Sequence, residues 1–260
     1  VFLQIQKLNN AIKSENEFAE RIAEKEKIDI IISDNRYGFR SSKTTNILLT
    51  HQLSLPIPKW KKLANKKLKS FIEKFDLCWI PDSETNPICG ELTNVSLTIP
   101  KLFIGHLSRF KKHEDSSFSF GEGAQRADEA KVGTQYKLLA IISGPEPERS
   151  NFAQKISEHL AHEVSRQNGK SAIVGIKSDN STIDFYENPT TQELEKLIHQ
   201  SEIIISRAGY TTIMEMIALE KNAILIPTQG QFEQEYLAKT ISHPNLTFKN
   251  ENDFFNYDVI

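Results

Sequence analysis

The amino-acid sequence predicts an α/β protein built from two domains, each containing a parallel sheet. Three observations support this prediction. Short apolar segments alternate with amphipathic helical segments of about 10–15 residues in both halves, which is typical of right-handed βαβ units. Residues 108–134 are rich in Ser, Gly, Lys and Glu and lack a sustained apolar period, as expected of a linker. The length of 260 residues is sufficient for two domains of ordinary size.

Composition narrows the class of protein. Lys and Arg number 32 against 34 Asp and Glu, and this near balance argues against a general nucleic-acid binder. The two cysteines, Cys78 and Cys89, stand in no CxxC pattern or Cys/His cluster, so we expect free thiols in a reducing cytosol. No apolar run approaches the ~20 residues that span a bilayer. We therefore expect a cytoplasmic protein.

The N-terminal half is predicted to form a domain over residues 1–110. Because the chain opens with a helical pattern at Val1, we expect that the start of this domain is missing. The segment Ile28–Ser33 is an apolar strand of the type that is buried on both faces. The other predicted elements are a helix to Glu26, strands at Asn46–Thr50, Leu77–Ile80 and Lys101–Ile104, and the helix Lys59–Phe75. A linker or mobile loop is predicted over residues 111–134.

The C-terminal half, residues 135–260, is predicted to form the second domain. Its predicted strands are Tyr136–Ile142, Ser171–Ile176, Thr182–Tyr186, Ile203–Ile205 and Ala223–Ile226, and its predicted helices are Pro147–Val164, Thr191–Gln200, Tyr210–Leu219 and Gln231–Ile241. In open α/β sheets, ligands bind beyond the carboxyl ends of the strands. We therefore expect one shared crevice to be lined by the loops at Asp34, His51, Gly144, Ser206 and Thr228.

The most informative segment comprises residues 203–236. An apolar strand ends in the turn Ser206–Gly209, and a helix begins just past it. The free N–H groups of Tyr210–Thr212 and the positive end of the helix dipole suit a diphosphate. Glu215 lies one turn further along, where its carboxylate can accept both hydroxyls of a ribose. A second interpretation stays open, in which this segment only begins a helix and Glu215 is a solvated residue.

The same segment resembles the donor-binding half of GT-B glycosyltransferases, and in particular the C-terminal domain of glycosyltransferase family 28. The likeness is carried by Ser-Arg-Ala-Gly at 206–209, a Glu six residues after the Gly, Ile-Pro-Thr-Gln at 226–229 and Gln-Glu-Tyr at 234–236. It covers about Tyr136 to Ala238. That family includes the peptidoglycan enzyme that adds N-acetylglucosamine to lipid-linked muramyl-pentapeptide. The resemblance implies two Rossmann-like domains whose parallel sheets face a cleft.

The resemblance also implies which residues bind the donor. In that family, the glutamate that matches Glu215 holds the ribose of UDP, and the helix start holds the phosphates. Two adjacent glutamines there contact the donor sugar, whereas this sequence has Gln followed by Glu at 234–235, which leaves the identity of the sugar open. Loop residues at 143–149 and 185–186 match the family more loosely, and an ordinary loop role stays open for them. The implied donor-binding residues are Gly144, Arg149, Tyr186, Ser206, Arg207, Gly209, Thr211, Thr212, Glu215, Gln234 and Glu235.

Two motifs of the N-terminal half resemble those of bacterial relatives of this family. One is the polar cluster 33–38, whose Asn35 and Arg36 we assign to the acceptor side, and the other is Ile104–Phe110. Asp34 or His51 is a candidate general base, because each follows a strand that is predicted to end at the crevice. The competing interpretations are a salt bridge from Asp34 to a neighbouring arginine and a structural role for His51. The glycine-rich loop that carries the usual base of this fold is absent from the sequence.

The predicted helix Lys59–Phe75 carries an apolar stripe beside a strongly basic face. Its first part, Lys59–Lys69, is a candidate for contact with anionic lipid at the inner membrane face, which would suit a lipid-linked acceptor. Packing of the stripe against the chain's own sheet is the alternative.

Together these features predict a metal-independent glycosyltransferase of the bacterial cell envelope, either a hexosyl- or an N-acetylhexosaminyltransferase. It would move a sugar from a nucleoside-diphosphate donor, UDP-linked by resemblance, to an acceptor hydroxyl. We expect no cofactor and no metal ion, since no Asp-x-Asp motif stands at a strand end. The alternatives are a sugar-nucleotide hydrolase or epimerase of the same fold, a non-catalytic nucleotide-sugar-binding protein, and a periplasmic-type binding protein.

Overall fold

A computed structural model of the chain describes residues 2–85, 87–110, 134–166, 169–178 and 181–256. The chain divides into two compact units, Val1–His106 and Leu107–Ile260. The predicted domain limits at 110 and 135 stay predictions, and the predicted linker 111–134 lies almost wholly outside the described residues.

The N-terminal unit is an α/β unit with a four-stranded parallel sheet in the order β1-β2-β3-β4. The strands are β1 (Ile30–Asp34), β2 (Thr45–Leu49), β3 (Leu77–Ile80) and β4 (Lys101–Phe103), and the helices are α1 (Phe2–Glu26) and α2 (Lys61–Ile72). One face of the sheet packs on α2 through a core that includes Leu48, Leu68, Ile72 and Ile80. A short 3-10 turn, Gly90–Leu92, lies between β3 and β4.

Strand β1 corrects one expectation from the sequence. Its side chains alternate between exposed and buried, and Ile30 and Ile32 are 56% and 52% exposed. Only one face is covered, where Ile31 packs with Ala19 and Ala23 of α1. The prediction that this apolar segment is buried on both faces is therefore wrong for the described residues, because β1 is an edge strand with a single helix beside it.

The C-terminal unit contains a six-stranded parallel sheet in the order β10-β9-β8-β5-β6-β7. The strands are β5 (Tyr136–Ile141), β6 (Ser171–Val174), β7 (Asp184–Tyr186), β8 (Ser201–Arg207), β9 (Asn222–Ile226) and β10 (Leu246–Phe248). The helices are α3 (Glu148–Arg166), α4 (Thr191–His199), α5 (Tyr210–Ala218), α6 (Phe232–Thr240) and α7 (Glu251–Asn256).

One core cluster of this unit forms between the sheet and the helices α3 and α7. Phe152, Ile156 and Leu160 of α3 and Phe254 of α7 are fully buried in one cluster with residues of β5, β6, β8 and β9. Local sequence also fixes the helix limits. Thr190 and Glu193, for example, form a reciprocal capping box that begins α4.

The alternation of strands and helices predicted from the sequence is confirmed in both units, and each sheet is parallel as predicted. The elements β10 and α7 were not predicted. In the described part of the chain, no helix has the length and apolarity required to cross a membrane. In the described part of the chain Cys78 and Cys89 form no disulfide, as predicted. Both are buried, and burial raises the pKa of the Cys78 thiol to about 12.

Candidate functional site

The order of strands in the C-terminal unit creates a switch point between β5 and β8. After β5 the chain adds β6 and β7 on one side, and it then returns to add β8, β9 and β10 on the other side. The loops that follow β5 and β8 therefore leave the sheet in opposite directions at its carboxyl edge. In open α/β sheets this position forms the ligand-binding crevice. The turn Ser206–Gly209, singled out from the sequence, lies at this switch point.

The start of α5 is open to a ligand. Gly209 is the N-cap residue and has no side chain to cap the helix, and among the described residues a Cβ added at Gly209 would meet no atom within 4 Å. Thr211 is exposed and Thr212 is half-buried, so the first turn is accessible on one side. Uncapped N–H groups and the helix dipole favour an anion here. The geometry is compatible with the predicted diphosphate site.

Glu215 is the most unusual side chain in this region. Its carboxylate is only 5% exposed, although α5 begins just five residues earlier. The opposing charge comes from Arg109, whose Nε lies 2.7 Å from Oε1 and whose Nη2 donates a 3.3 Å hydrogen bond to Oε2. Burial raises the pKa of Glu215, and the charge and hydrogen bond of Arg109 oppose this rise. The interpretation of Glu215 as a solvated residue is therefore wrong.

Ser206 and Arg207 have internal partners. Ser206 is fully buried, and its Oγ donates a 2.9 Å hydrogen bond to the carbonyl oxygen of Ile141, which ties β8 to β5 at the switch point. The Arg207 guanidinium lies 3.9 Å from the ring centroid of Phe152 and bonds Glu251. The side chain of Arg207 thus points toward α3 and α7, where it has a neutralising partner, and its predicted contact with the diphosphate stays a prediction.

The loop after β5 contains the predicted contacts Gly144 and Arg149. Gly144 has a φ of 111°, in the left-handed region that favours glycine, and a Cβ there would meet open space. Arg149 lies in the first turn of α3, where its Nη2 donates a hydrogen bond to the carbonyl oxygen of Gly175. Both residues follow a strand at the carboxyl edge, as predicted, and Arg149 also lies 4.0 Å from Glu146.

Tyr186 ends β7 at the edge of the sheet. Its hydroxyl lies 2.8 Å from the hydroxyl of Tyr136, which donates to Asp184, and its carbonyl oxygen accepts from the N–H of Gly175. Burial raises the pKa of the Tyr136 hydroxyl. The backbone oxygen of Tyr186 is therefore engaged in the structure, and the predicted contact with a base stays a prediction.

Gln234 and Glu235 hold the loop that follows β9. The side chain of Gln234 accepts a 2.9 Å hydrogen bond from the N–H of Thr228, and that of Glu235 accepts a 2.8 Å bond from the N–H of Gly230. Gln234 also donates to Gln231. β9 neighbours β8, so this loop lies at the same edge as the start of α5. The structure places the predicted sugar-binding pair next to the switch point.

In the N-terminal unit, the cluster 33–38 forms a tight connection after β1. Asn35 Oδ1 accepts from Tyr37 and Thr50, and Arg36 pairs with Glu15 of α1 at 3.0 Å. Asp34 is exposed and has no side-chain partner among the described residues, so the alternative salt bridge to Arg36 is not formed. His51 is half-buried in the loop after β2.

Sequence reasoning did not pair Asp82 with His106. Asp82 is fully buried, and its carboxylate accepts hydrogen bonds from three backbone N–H groups, those of Ser83, Ile88 and Cys89. His106 Nε2 lies 3.2 Å from Asp82 Oδ1, and the ring is partly exposed. Both residues follow the carboxyl ends of strands, β3 and β4. A fixed carboxylate that orients a histidine is an arrangement suited to proton transfer.

Comparison with known proteins agrees with the geometry. Residues 139–253 match the glycosyltransferase family 28 C-terminal domain, a range that includes the strands β8 and β9 and the whole of α5. This match confirms the resemblance found in the sequence. No curated protein sequence matches the chain.

Solved structures share the fold of the chain. The glycotransferase of kitacinnamycin has a TM-score of 0.59 at 10% identity, covering 96% of this chain and 70% of that one. Staphylococcus aureus MnaA, solved with UDP, has a TM-score of 0.59 at 11% identity, with coverages of 96% and 69%. The spinosyn forosaminyltransferase SpnP has a TM-score of 0.54 at 12% identity, with coverages of 93% and 69%. At these identities the likeness concerns the fold alone, and it confirms the predicted GT-B fold with its Rossmann-like sheets.

Proposed function

We propose that this chain, which carries a glycosyltransferase family 28 C-terminal domain, transfers a sugar from a nucleoside-diphosphate sugar to an acceptor hydroxyl. The observation that supports this most strongly is the pairing of an uncapped helix start with a buried carboxylate. Both belong to α5, and α5 begins at the switch point between β5 and β8. A diphosphate and a ribose are the two ligand groups that such a pair would bind.

The start of α5 would bind the diphosphate. Its first-turn N–H groups and the hydroxyls of Thr211 and Thr212 would donate to the phosphate oxygens. As the bond to the anomeric carbon breaks, negative charge grows on the departing diphosphate, and fixed donors stabilise that charge without reorganisation. Arg149, at the start of α3, is the candidate cation for the same charge, because Arg207 is already neutralised by Glu251.

Glu215 would accept hydrogen bonds from the ribose hydroxyls and so fix the nucleoside. We propose uridine as the base, on the resemblance to family 28 and on the UDP found with a protein of the same fold. Gln234 and Glu235 would contact the transferred sugar, a hexose or an N-acetylhexosamine. The Gln234 oxygen and one Glu235 oxygen already hold the 228–230 loop, and one amide N–H of Gln234 donates to Gln231. The second amide N–H of Gln234 and the second carboxylate oxygen of Glu235 would therefore contact the sugar.

The acceptor hydroxyl must lose a proton during transfer. Three candidates for the base lie in the N-terminal unit: Asp34, His51 and His106. Of these, His106 has the best-defined orientation, since the buried Asp82 fixes its ring. Asp34 is exposed and unpaired in the described part of the chain, and it keeps its predicted role as an alternative.

A membrane-facing role for the start of α2 is also part of the proposal. Trp60 and Leu63 are 79% and 64% exposed, whereas Leu68, Phe71 and Ile72 further along are buried. The exposed pair is surrounded by exposed lysines at 59, 61, 62, 66 and 67. An exposed tryptophan among lysines suits an anionic lipid surface, which would bring a cytoplasmic enzyme to a lipid-linked acceptor.

A nucleotide titration tests the proposed function. UDP, GDP, ADP and CMP are titrated by calorimetry into the chain, with and without EDTA, and we expect selective binding of UDP that EDTA does not alter. Failure of every nucleotide to bind would contradict the proposal. Product analysis then separates the alternatives. Release of free sugar from UDP-sugar alone indicates a hydrolase, a changed sugar indicates an epimerase, and binding without turnover with any acceptor indicates a binding protein.

A further inference from the structure

The pair Arg109–Glu215 joins two residues that are 106 positions apart. Arg109 belongs to the motif Ile104–Phe110, which the sequence singled out and in which only His106 takes part in the proposed function. It lies before residue 139, where the match to the family domain begins. Within the C-terminal unit, Phe110 is buried at 4% exposure, and the Arg109 guanidinium lies 5.0 Å from the centroid of its ring. The buried Phe110 therefore holds Arg109 in place beside α5.

The two partners of this ion pair differ in their exposure to solvent. The Arg109 side chain is half exposed, whereas the Glu215 side chain is almost completely covered. Within the described part of the chain, Glu215 Oε1 is inaccessible to solvent and accepts no hydrogen bond, although Arg109 Nε lies 2.7 Å away as its ion-pair partner. Glu215 Oε2 accepts only a long bond from Arg109 among the described residues. A buried carboxylate oxygen without a hydrogen bond is costly, and it is expected where a ligand supplies the missing donor.

These contacts determine which groups a ribose would meet on entering the site. Its hydroxyls need the carboxylate oxygens of Glu215, and in the structure the guanidinium of Arg109 lies against both of them. We propose that Arg109 closes the nucleoside site of the empty protein, and that nucleotide binding exchanges the Arg109–Glu215 ion pair for hydrogen bonds from the ribose. This inference rests on the proposed function, because it assumes that Glu215 binds the ribose.

Arg109 has a second effect on the same carboxylate. Among the described residues, it is the charged group that acts on Glu215, and it keeps the buried carboxylate ionised against the effect of burial. Without it, Glu215 takes up a proton at a higher pH. A protonated carboxyl accepts fewer hydrogen bonds, so it would bind a ribose less well. Removal of Arg109 should therefore strengthen UDP binding at a pH where Glu215 is ionised, and weaken it at a pH where Glu215 is protonated.

The test is a calorimetric titration of UDP into the whole chain and its variant Arg109→Gln, at about pH 9 and about pH 6. We expect Arg109→Gln to bind UDP about two- to fivefold more tightly than the wild type at the higher pH, since no partly exposed ion pair must be broken. At the lower pH its affinity should fall more steeply than that of the wild type. Arg109→Lys, which keeps the charge, should retain the wild-type pH profile. The exposed Arg21, changed to Gln, controls for the loss of one positive charge.

The outcomes are distinct. Weaker binding by Arg109→Gln at both pH values would show that Arg109 belongs to the occupied site, and unchanged binding would show that it does not compete with the ribose. Either result overturns the inference and leaves the proposed function standing, provided that the wild type binds UDP. If the wild type binds no nucleotide, the proposed function fails and the inference fails with it. Thermal unfolding of each variant confirms that it is folded.

Discussion

The Arg207 guanidinium donates a 2.7 Å hydrogen bond to Glu251 Oε2 and at the same time lies over the ring of Phe152. This arrangement joins the end of β8 to the helices α3 and α7, which close the core of the C-terminal unit. Only 9% of the Arg207 side chain is exposed. A residue within the proposed donor-binding motif thus has a structural partner, and the two roles can be separated by experiment.

Arg207→Met tests that separation. Methionine preserves the apolar contact with Phe152 but removes the charge, so we expect the free energy of unfolding to fall by about 2 kcal/mol, because a mostly buried ion pair is broken. The affinity for UDP should remain within about twofold of the wild type. Urea unfolding and UDP titration measure the two quantities. Intact stability with a large loss of UDP affinity would instead support the predicted role of Arg207 in phosphate binding.

The lowered pKa of Glu251 should make the free energy of unfolding depend on pH. Burial alone would raise the pKa of its carboxyl, but hydrogen bonds from Lys155 and Arg207 outweigh that effect and lower the pKa below 4.5. Because the pKa is lower in the folded state, the stability that Glu251 contributes is present above pH 4.5 and is lost as the pH falls through the folded-state pKa. At neutral pH we expect Glu251→Gln to have a lower free energy of unfolding than the wild type. This difference should shrink as the pH falls through the folded-state pKa of Glu251. Urea unfolding across the acid range provides the measurement, and a difference that does not depend on pH would contradict the assignment.

The same substitution at two glycines should affect two different properties, UDP affinity at Gly209 and the free energy of unfolding at Gly38. A Cβ at Gly209 would meet no atom within 4 Å, and the φ of −74° suits any residue, so Gly209→Ala should leave the free energy of unfolding almost unchanged. Its methyl group would occupy the space in which the diphosphate is proposed to bind, and we expect UDP affinity to fall by about tenfold or more.

Gly38→Ala is the matched contrast. A Cβ at Gly38 would lie 2.2 Å from the carbonyl oxygen of Ile12 in α1, so the substitution should lower the free energy of unfolding by about 2 kcal/mol or more. The close approach of α1 to the loop after β1 requires the glycine. Thermal unfolding and UDP titration of both variants are compared. Tight UDP binding by Gly209→Ala would contradict the placement of the diphosphate.

The sequence predicted the parallel sheets and most elements because each central strand carries a strong apolar pattern. The segments of β5, β8 and β9 are almost wholly buried, and such strands are recognisable without a structure. Helix α7 has only six residues, and strand β10 has three with a polar residue at its centre. The equally short strands β4 and β7 were found because Ile104 and Ile183 beside them extend their apolar patterns. The start of α2 was placed too early, because Trp60 has a φ of 60° and stands before the helix begins.

The candidate site was predictable where it is a local motif and not where it depends on distant partners. The positions of Gly209 and Glu215 on a strand, turn and helix follow from adjacent residues. The partner of Arg207 is 44 residues away, and that of Glu215 is 106 residues away. Their pairing is set by how helices and loops pack on the sheet. The pair Asp82–His106 was missed for the same reason, although the position of each residue after a predicted strand was a usable signal.

The central claim, that α5 binds a nucleoside diphosphate with Glu215 on the ribose, is tested most directly by one titration. UDP is titrated into the wild type, Glu215→Gln and the control Glu202→Gln, whose exposed side chain lies at the amino end of β8. A charge-assisted hydrogen bond contributes about 1.5–3 kcal/mol to the free energy of binding. We therefore predict that Glu215→Gln binds UDP at least about tenfold more weakly than the wild type, while the control binds UDP as tightly as the wild type. Equal UDP affinity in all three proteins would contradict the claim.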